Sequence, residues 1–203
     1  MQIQYLTNLV FENDDFSHNG LRYSYKSIEG ITFTAAHTKH SINFVPLGSS
    51  FDANLILHLS DKTIHVTPEK SFLEQSQKIR MEAVWKAKEI FSEITFLQRV
   101  KSYENQLTKK EFFSYRGNQF RKGGDVFRDG LWVGNLNEDL SVSLGPFHIS
   151  FSKTKKSILQ KIASALLVDY NWNLDISRDR DCFLHMFRLA TQRFWATERY
   201  RNI

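Results

Sequence analysis

Three histidines, one cysteine and a few carboxylates are the side chains whose types and spacing could do chemistry. His58 and His65 lie in two segments of alternating apolar residues, 55–59 and 64–66, joined by Ser60-Asp61-Lys62-Thr63. A two-residue loop at Asp61 and Lys62 would set Leu59 opposite Ile64 and His58 opposite His65, on the face away from Leu55, Leu57 and Leu59. Two neutral imidazoles so placed hold a metal only if a third ligand arrives, so no metal is assigned. Asp181 and His185 stand four apart in a segment of helical period, a spacing that suits an acid and base pair or two metal ligands. Arg178, Arg180 and Arg188 compete for that carboxylate, and an acid near a helix start is ordinary helix electrostatics. Asp14-Asp15 with Asp179 and Asp181 would form a nuclease-type carboxylate cluster only if folding brings them together. Cys182 sits beside apolar residues, a poor setting for a reactive thiol. The chain has no P-loop string, no G-x-S-x-G, no H-E-x-x-H and no C-x-x-C. Gly117, Gly123, Gly124 and Gly130 stand between short apolar runs without a following helix, which makes them turn formers rather than a phosphate cradle. No catalytic residue and no cofactor is assigned.

Recognition by charge and ring is the remaining chemistry. The chain of 203 residues carries 27 Lys and Arg against 22 Asp and Glu, a net charge of +5. The excess is uneven: residues 1–68 hold 4 bases and 6 acids, whereas 150–203 hold 10 bases and 5 acids. Lys153, Lys155, Lys156 and Lys161 form one basic cluster. Arg188, Arg193, Arg199 and Arg201 form another, interleaved with Trp195 and Tyr200. These eight cations are the candidate contacts for an anion or nucleic acid, because stacked bases and paired phosphates need rings and cations together. The same charges suit an anionic membrane surface, or simply a solvated helix face.

The elements that must position these groups follow from periodicity. Residues 1–11 read as a short strand or arm. Leu21, Tyr23 and Tyr25 alternate, Ile31, Phe33 and Ala35 share the face of a next strand, and residues 37–40 read as a hairpin loop before Ile42 and Phe44. Residues 51–67 give a clear hairpin ended by Pro68. Residues 69–106 contain no Gly or Pro and predict a long helix with a bend or break. Its apolar stripe is Phe72, Ile79, Ala83, Ala87, Ile90, Phe91, Ile94 and Leu97. The two-residue period returns at Phe112, and Gly117-Asn118, Gly123-Gly124 and Asp129-Gly130 punctuate a meander of short strands. Strands at 140–144 and 147–151 follow, then a basic helix from Lys153, a last strand through Trp172, Leu174 and Ile176, and a terminal helix. Ser177 or Asp179 would cap that helix, whose apolar side is Phe183, Met186, Phe187, Ala190 and Phe194.

The class is therefore α+β: an antiparallel sheet or split barrel, with a long helix inserted between two β blocks and a C-terminal amphipathic helix. Residues 1–203 read as one domain, with 69–106 the insertion and 112–151 completing the sheet begun by residues 20–67. A single cysteine excludes an internal disulfide framework and fits a reducing compartment, so a cytoplasmic location is expected. The first residues lack the basic and apolar regions of a secretory signal, and no apolar run approaches the roughly 18 residues of a membrane span.

The segments IEGITF, SINFVP, LILHLS and KTIHVT, with the helix at 181–200, resemble a pleckstrin-homology-like split barrel. The resemblance implies a binding module. The basic loop of phosphoinositide binders is poorly matched, since His37, Lys39 and His40 supply one permanent charge. The expected function is a non-enzymatic cytoplasmic adaptor that receives a protein segment at an open strand edge or beside the terminal helix. The alternative is nucleic-acid or anionic-membrane binding through the basic 153–201 region.

Overall fold

Short alternating runs separated by tight turns pair with their sequence neighbours, and this builds four antiparallel sheets rather than one. The computed structural model describes residues 1–42, 45–68, 74–138, 140–153 and 172–191. Strands β1 (Leu9–Phe11), β2 (Asp15–His18) and β3 (Leu21–Ser24) form a meander, and β4 (Ile28–Ile42), β5 (Val45–Leu59) and β6 (Thr63–Val66) form a second sheet. Helix α1 (Glu74–Lys110) follows. Then come β7 (Phe112–Tyr115), β8 (Asn118–Arg121), β9 (Asp125–Arg128) and β10 (Leu131–Asn135) in one sheet, and β11 (Leu140–Leu144), β12 (His148–Lys153) and β13 (Trp172–Asp175) in another. Helix α2 (Arg180–Thr191) closes the described chain. The α+β class, the long helix between β blocks and the C-terminal helix are as the sequence implies. The sheet of residues 20–67 is not completed by 112–151, because among the described residues no strand of one block shares a sheet with the other.

Where the sequence suggests one domain, the chain gathers into two compact units: Met1–Arg99 with Ser177–Asp179, and Val100–Ile176 with Arg180–Ile203. In the first unit the hub is Phe91 of α1, fully buried, with its ring 4.9 Å from those of Phe11 and Phe16. In the second the core is a phenylalanine cluster: Phe113 and Phe120 from the sheet meet Phe183 of α2 at 6.0 and 5.6 Å, and Phe151 stacks on Trp172 at 4.5 Å. Burying rings of this size is the main stabilising term, roughly 1.5–3 kcal/mol for each large apolar side chain.

The turns carry the signals that make the meander. Asn19-Gly20 and Asp129-Gly130 both have positive φ at each residue, the type I′ conformation whose twist matches flanking strands. The first turn of the third sheet is Arg116-Gly117, also positive at both, and Asn118 already belongs to β8.

Three expectations are corrected. Residues 37–40 lie within β4, which runs antiparallel to β5 through fourteen paired positions. A two-stranded ribbon with solvent on both faces has no need of alternation, which is why this polar stretch reads as a loop. Helix α1 runs unbroken for 37 residues and stops where Glu111 takes φ 60°, a left-handed C-terminal residue. Its buried stripe is Ala83, Val84, Ala87, Phe91, Thr95, Arg99, Val100 and Leu107. Ile79, Ile94 and Leu97 are exposed, Leu97 by 77%. Phe72 and the basic helix from Lys153 lie outside the described residues.

His18 on β2 is nearly buried, and burial lowers its pKa below the ordinary 6.5. Below that pH the unfolded chain takes up a proton that the folded chain resists, so the stability present above it is lost as pH falls. Thermal melts should show a midpoint that drops between about pH 7.5 and about pH 5.5, and drops less in His18→Gln. Equal slopes for the two proteins would show that His18 carries none of the pH dependence.

Candidate functional site

β4 is fifteen residues long, but its surroundings are unequal along that length. β6 covers β5 only from Leu55 to His58, so residues 34–42 and 45–54 extend past the third strand as a two-stranded ribbon. The rings of His37 and Phe51 stack across it at 4.3 Å and 4°. On the β5 side, the Phe51 N–H donates to Gln77 Oε1 of α1 at 3.2 Å, which caps that edge. On the β4 side, among the described residues, the edge is occupied at one end only. The Phe33 N–H donates to the Ser177 carbonyl at 3.1 Å, the Asp179 N–H donates to the Ile31 carbonyl at 2.6 Å, and Thr32 and Arg178 form an isolated antiparallel bridge.

A buried ion pair holds this strap in place. Asp179 Oδ1 accepts from Arg99 Nη1 at 2.7 Å and from the Ile31 N–H at 2.8 Å, and the two charged side chains are 1% and 2% exposed. Arg99 Nε also donates to Thr95 Oγ1 at 2.9 Å, and that hydroxyl donates to the Phe91 carbonyl at 2.7 Å. One helical face therefore delivers Phe91 to the core and Thr95 and Arg99 to the strap, by four-residue spacing. Gln98 Nε2 donates to the Tyr25 and Ile28 carbonyls at 2.8 and 2.9 Å, which fastens α1 to the start of β4. Gly30 makes room: a Cβ there would stand 3.0 Å from Arg178 Nε and Asp179 Oδ2.

Antiparallel geometry turns alternate residues outward at an edge. Ile31 and Phe33 point their backbone groups at the strap, so Ala35, His37 and Lys39 point theirs the same way beyond it. Thr34, Ala36, His37, Thr38 and Lys39 are exposed. Among the described residues no segment pairs with β4 on that side past Phe33. This arrangement offers a row of backbone groups as a template for a strand.

The residues considered for chemistry are distributed otherwise. His58 pairs with Thr63 and His65 with Ile56, because the loop is Ser60-Asp61, closed by the Leu59 N–H donating to the Lys62 carbonyl at 2.8 Å. The expected His58/His65 pairing is thus displaced by two residues along the strand, and His58 Nε2 instead lies 2.8 Å from Thr32 Oγ1. Asp179 directs its carboxylate at Arg99 and the Ile31 N–H. His185 Nε2 lies 3.5 Å from Glu104 Oε1, and Asp15 pairs with Arg22. Cys182 is fully buried. Among the described residues no three His, Cys, Asp or Glu side chains gather as a metal site. Of the eight basic candidates, Arg188 is exposed on α2 and Lys153 ends β12. Lys155, Lys156, Lys161, Arg193, Arg199 and Arg201 lie outside the described residues.

The Arg99–Asp179 pair is what sequence reasoning missed. Its only local signal is the run Ala87, Phe91, Thr95, Arg99 at four-residue intervals, which ends in two polar residues. Compared with protein-family models, with curated proteins and with solved structures, the chain finds no match.

Removing one partner of a buried ion pair strands the other charge away from water, at a cost of about 3–5 kcal/mol. Asp179→Asn should lower the urea-unfolding free energy by about that amount. The double substitution Arg99→Met with Asp179→Asn, which removes the stranded charge and keeps an acceptor for the Ile31 N–H, should recover part of the loss. A single variant as stable as the wild type would show that the pair contributes nothing net.

Proposed function

We propose that this chain is a binding protein whose first unit receives an extended protein segment along the edge of β4. The observation that carries the reading is that this edge already accepts a strand: residues 177–179 bond to positions 31–33, and the same outward-facing series continues at Ala35, His37 and Lys39. Strand addition draws affinity from backbone hydrogen bonds and specificity from alternate side chains, so it needs an edge held straight and open. The His37–Phe51 stack and the Gln77 contact hold the ribbon from its other side. The single cysteine, buried in α2, favours a reducing, cytoplasmic setting. Among the described residues no helix is long and apolar enough to cross a membrane.

The pleckstrin-homology-like reading belongs to the same proposal. Its strand segments fall in β4–β6 of the first unit, which supports it with two three-stranded antiparallel sheets among the described residues, and its terminal helix begins as α2. Modules of this plan serve as adaptors, which suits a protein partner.

A peptide-display library selected on the purified chain should yield binders that slow amide exchange at Ala35, His37 and Lys39. Proline has no N–H to donate, so His37→Pro should weaken those binders at least about tenfold while circular dichroism stays unchanged. Protection confined to the second unit, or binding by His37→Pro equal to wild type, would remove this reading.

A further inference from the structure

The outer face of the β7–β10 sheet carries rings and cations that the core of its unit does not use. Alternation turns Phe113, Tyr115, Phe120 and Val126 inward, where all four are buried. The same register fixes the opposite face. Ser114, Gln119, Phe127 and Trp132 form one row across the four strands, and Phe112 pairs with Arg121 in the next. Trp132 is 53% exposed. The Arg121 guanidinium stands 4.1 Å from the centroid of the Phe127 ring, and Lys110 Nζ stands 5.9 Å from that of Phe112. The Trp132 indole N–H donates to Asp125 Oδ1 at 3.1 Å, and Asn135 Nδ2 donates to the same oxygen at 3.1 Å. The acid on this face thus orients the indole. Across residues 109–128 there are six bases, Lys109, Lys110, Arg116, Arg121, Lys122 and Arg128, against two acids, Glu111 and Asp125.

We propose that this face binds single-stranded nucleic acid, with successive bases on Trp132 and on the Arg121–Phe127 stack and phosphates at Lys110 and Arg121. Every base has a π-face, so exposed rings and a guanidinium plane on a sheet surface accept bases without reading sequence. Neighbouring strands stand about 4.8 Å apart, so the Phe127 and Trp132 rings lie side by side and take consecutive bases rather than clamping one. Gln119 sits in the same row with an amide that can both donate to and accept from a base edge. An acidic peptide would meet the cations but give the rings nothing planar to stack on. A bilayer would demand a projecting apolar patch, whereas Phe112 and Phe127 are half-buried among Ser114, Gln119 and Arg121. The site is separate from the β4 edge and does not depend on it.

The test is fluorescence anisotropy of a labelled oligothymidylate and oligouridylate, each of about twelve nucleotides, titrated with the full chain at several salt concentrations. Trp132→Ala and Phe127→Ala should each weaken binding at least about tenfold, and Trp132→Phe should restore much of it. Arg121→Gln should reduce the slope of log affinity against log salt by about 0.7. A polyglutamate competitor of equal charge should displace the oligonucleotide at least about tenfold less well than unlabelled oligonucleotide. No binding at low salt, or equal competition by polyglutamate, would overturn the proposal. So would loss of binding in Lys155→Ala/Lys156→Ala with Trp132→Ala unaffected, which would move the contact to the basic C-terminal region.

Discussion

The ion pair between Arg99 and Asp179 is the constraint on which the first unit depends. Eighty residues separate the partners in sequence, yet both side chains are all but removed from water, with Nη1 and Oδ1 at 2.7 Å. Burying two charges costs several kcal/mol each unless further hydrogen bonds complete their valences, and here the Ile31 N–H and the Thr95 hydroxyl do so. An apolar pair of equal volume would leave the buried Ile31 N–H without its acceptor and would not fix the register of the strap. Asp179 bonds Ile31 through both its backbone N–H and its carboxylate, so a shift of one residue breaks both at once. The chain enters the first unit for only three residues between Ile176 and Arg180, and this double attachment lets so short a segment hold its place.

That attachment also sets what β4 has left to offer. The strap consumes two outward-facing positions and then the chain departs into α2 at Arg180. Asp179 has φ 50°, a left-handed turn that a non-glycine residue adopts at a cost of order 1–3 kcal/mol. Such strain persists where surrounding contacts over-determine it, as the Arg99 and Ile31 bonds do. Toward Ala35 the antiparallel strap would have to continue through the residues before Ser177, and these pair with β12 as β13, so among the described residues the edge beyond Phe33 has no strand beside it.

Much of the fold is legible in the sequence where the signal is local. Asp129-Gly130 announces its turn because both positions take positive φ. Residues 74–110 announce a helix by lacking Gly and Pro. The face of the β5–β6 hairpin is legible too: Leu55, Leu57, Ile64 and Val66 lie on one side whether or not the register is right, because a slip of two preserves parity. The register itself is not legible, since it depends on whether Ser60 or Lys62 joins Asp61 in the loop. The buried stripe of α1 misleads for a different reason. Hydrophobicity nominates Ile94 and Leu97, but the distant carboxylate of Asp179 draws in Arg99, and Thr95 follows because it shares the face. The β4 edge leaves no signal by the same logic: residues 34–39 are small or polar, and what they present outward is backbone.

A β-strand has two resources, an edge of backbone groups and a face of side chains, and the two units retain different ones. In the first, among the described residues, β4 keeps its edge past Phe33, and the atoms it presents are those every residue has, so composition carries no trace of them. In the second, the β7–β10 meander turns one face to the phenylalanine core and keeps a row of distinctive side chains on the other. Arg121 could have been passed over as one more surface cation, but its position over Phe127 is not an accident of exposure. The register that buries Phe120 places Arg121 one residue later on the opposite face, beside the ring that Gln119 and Trp132 flank. A one-residue slip would bury Arg121 and Phe127 and expose Phe120, so the core that stabilises the sheet is also what arrays the rings outside it.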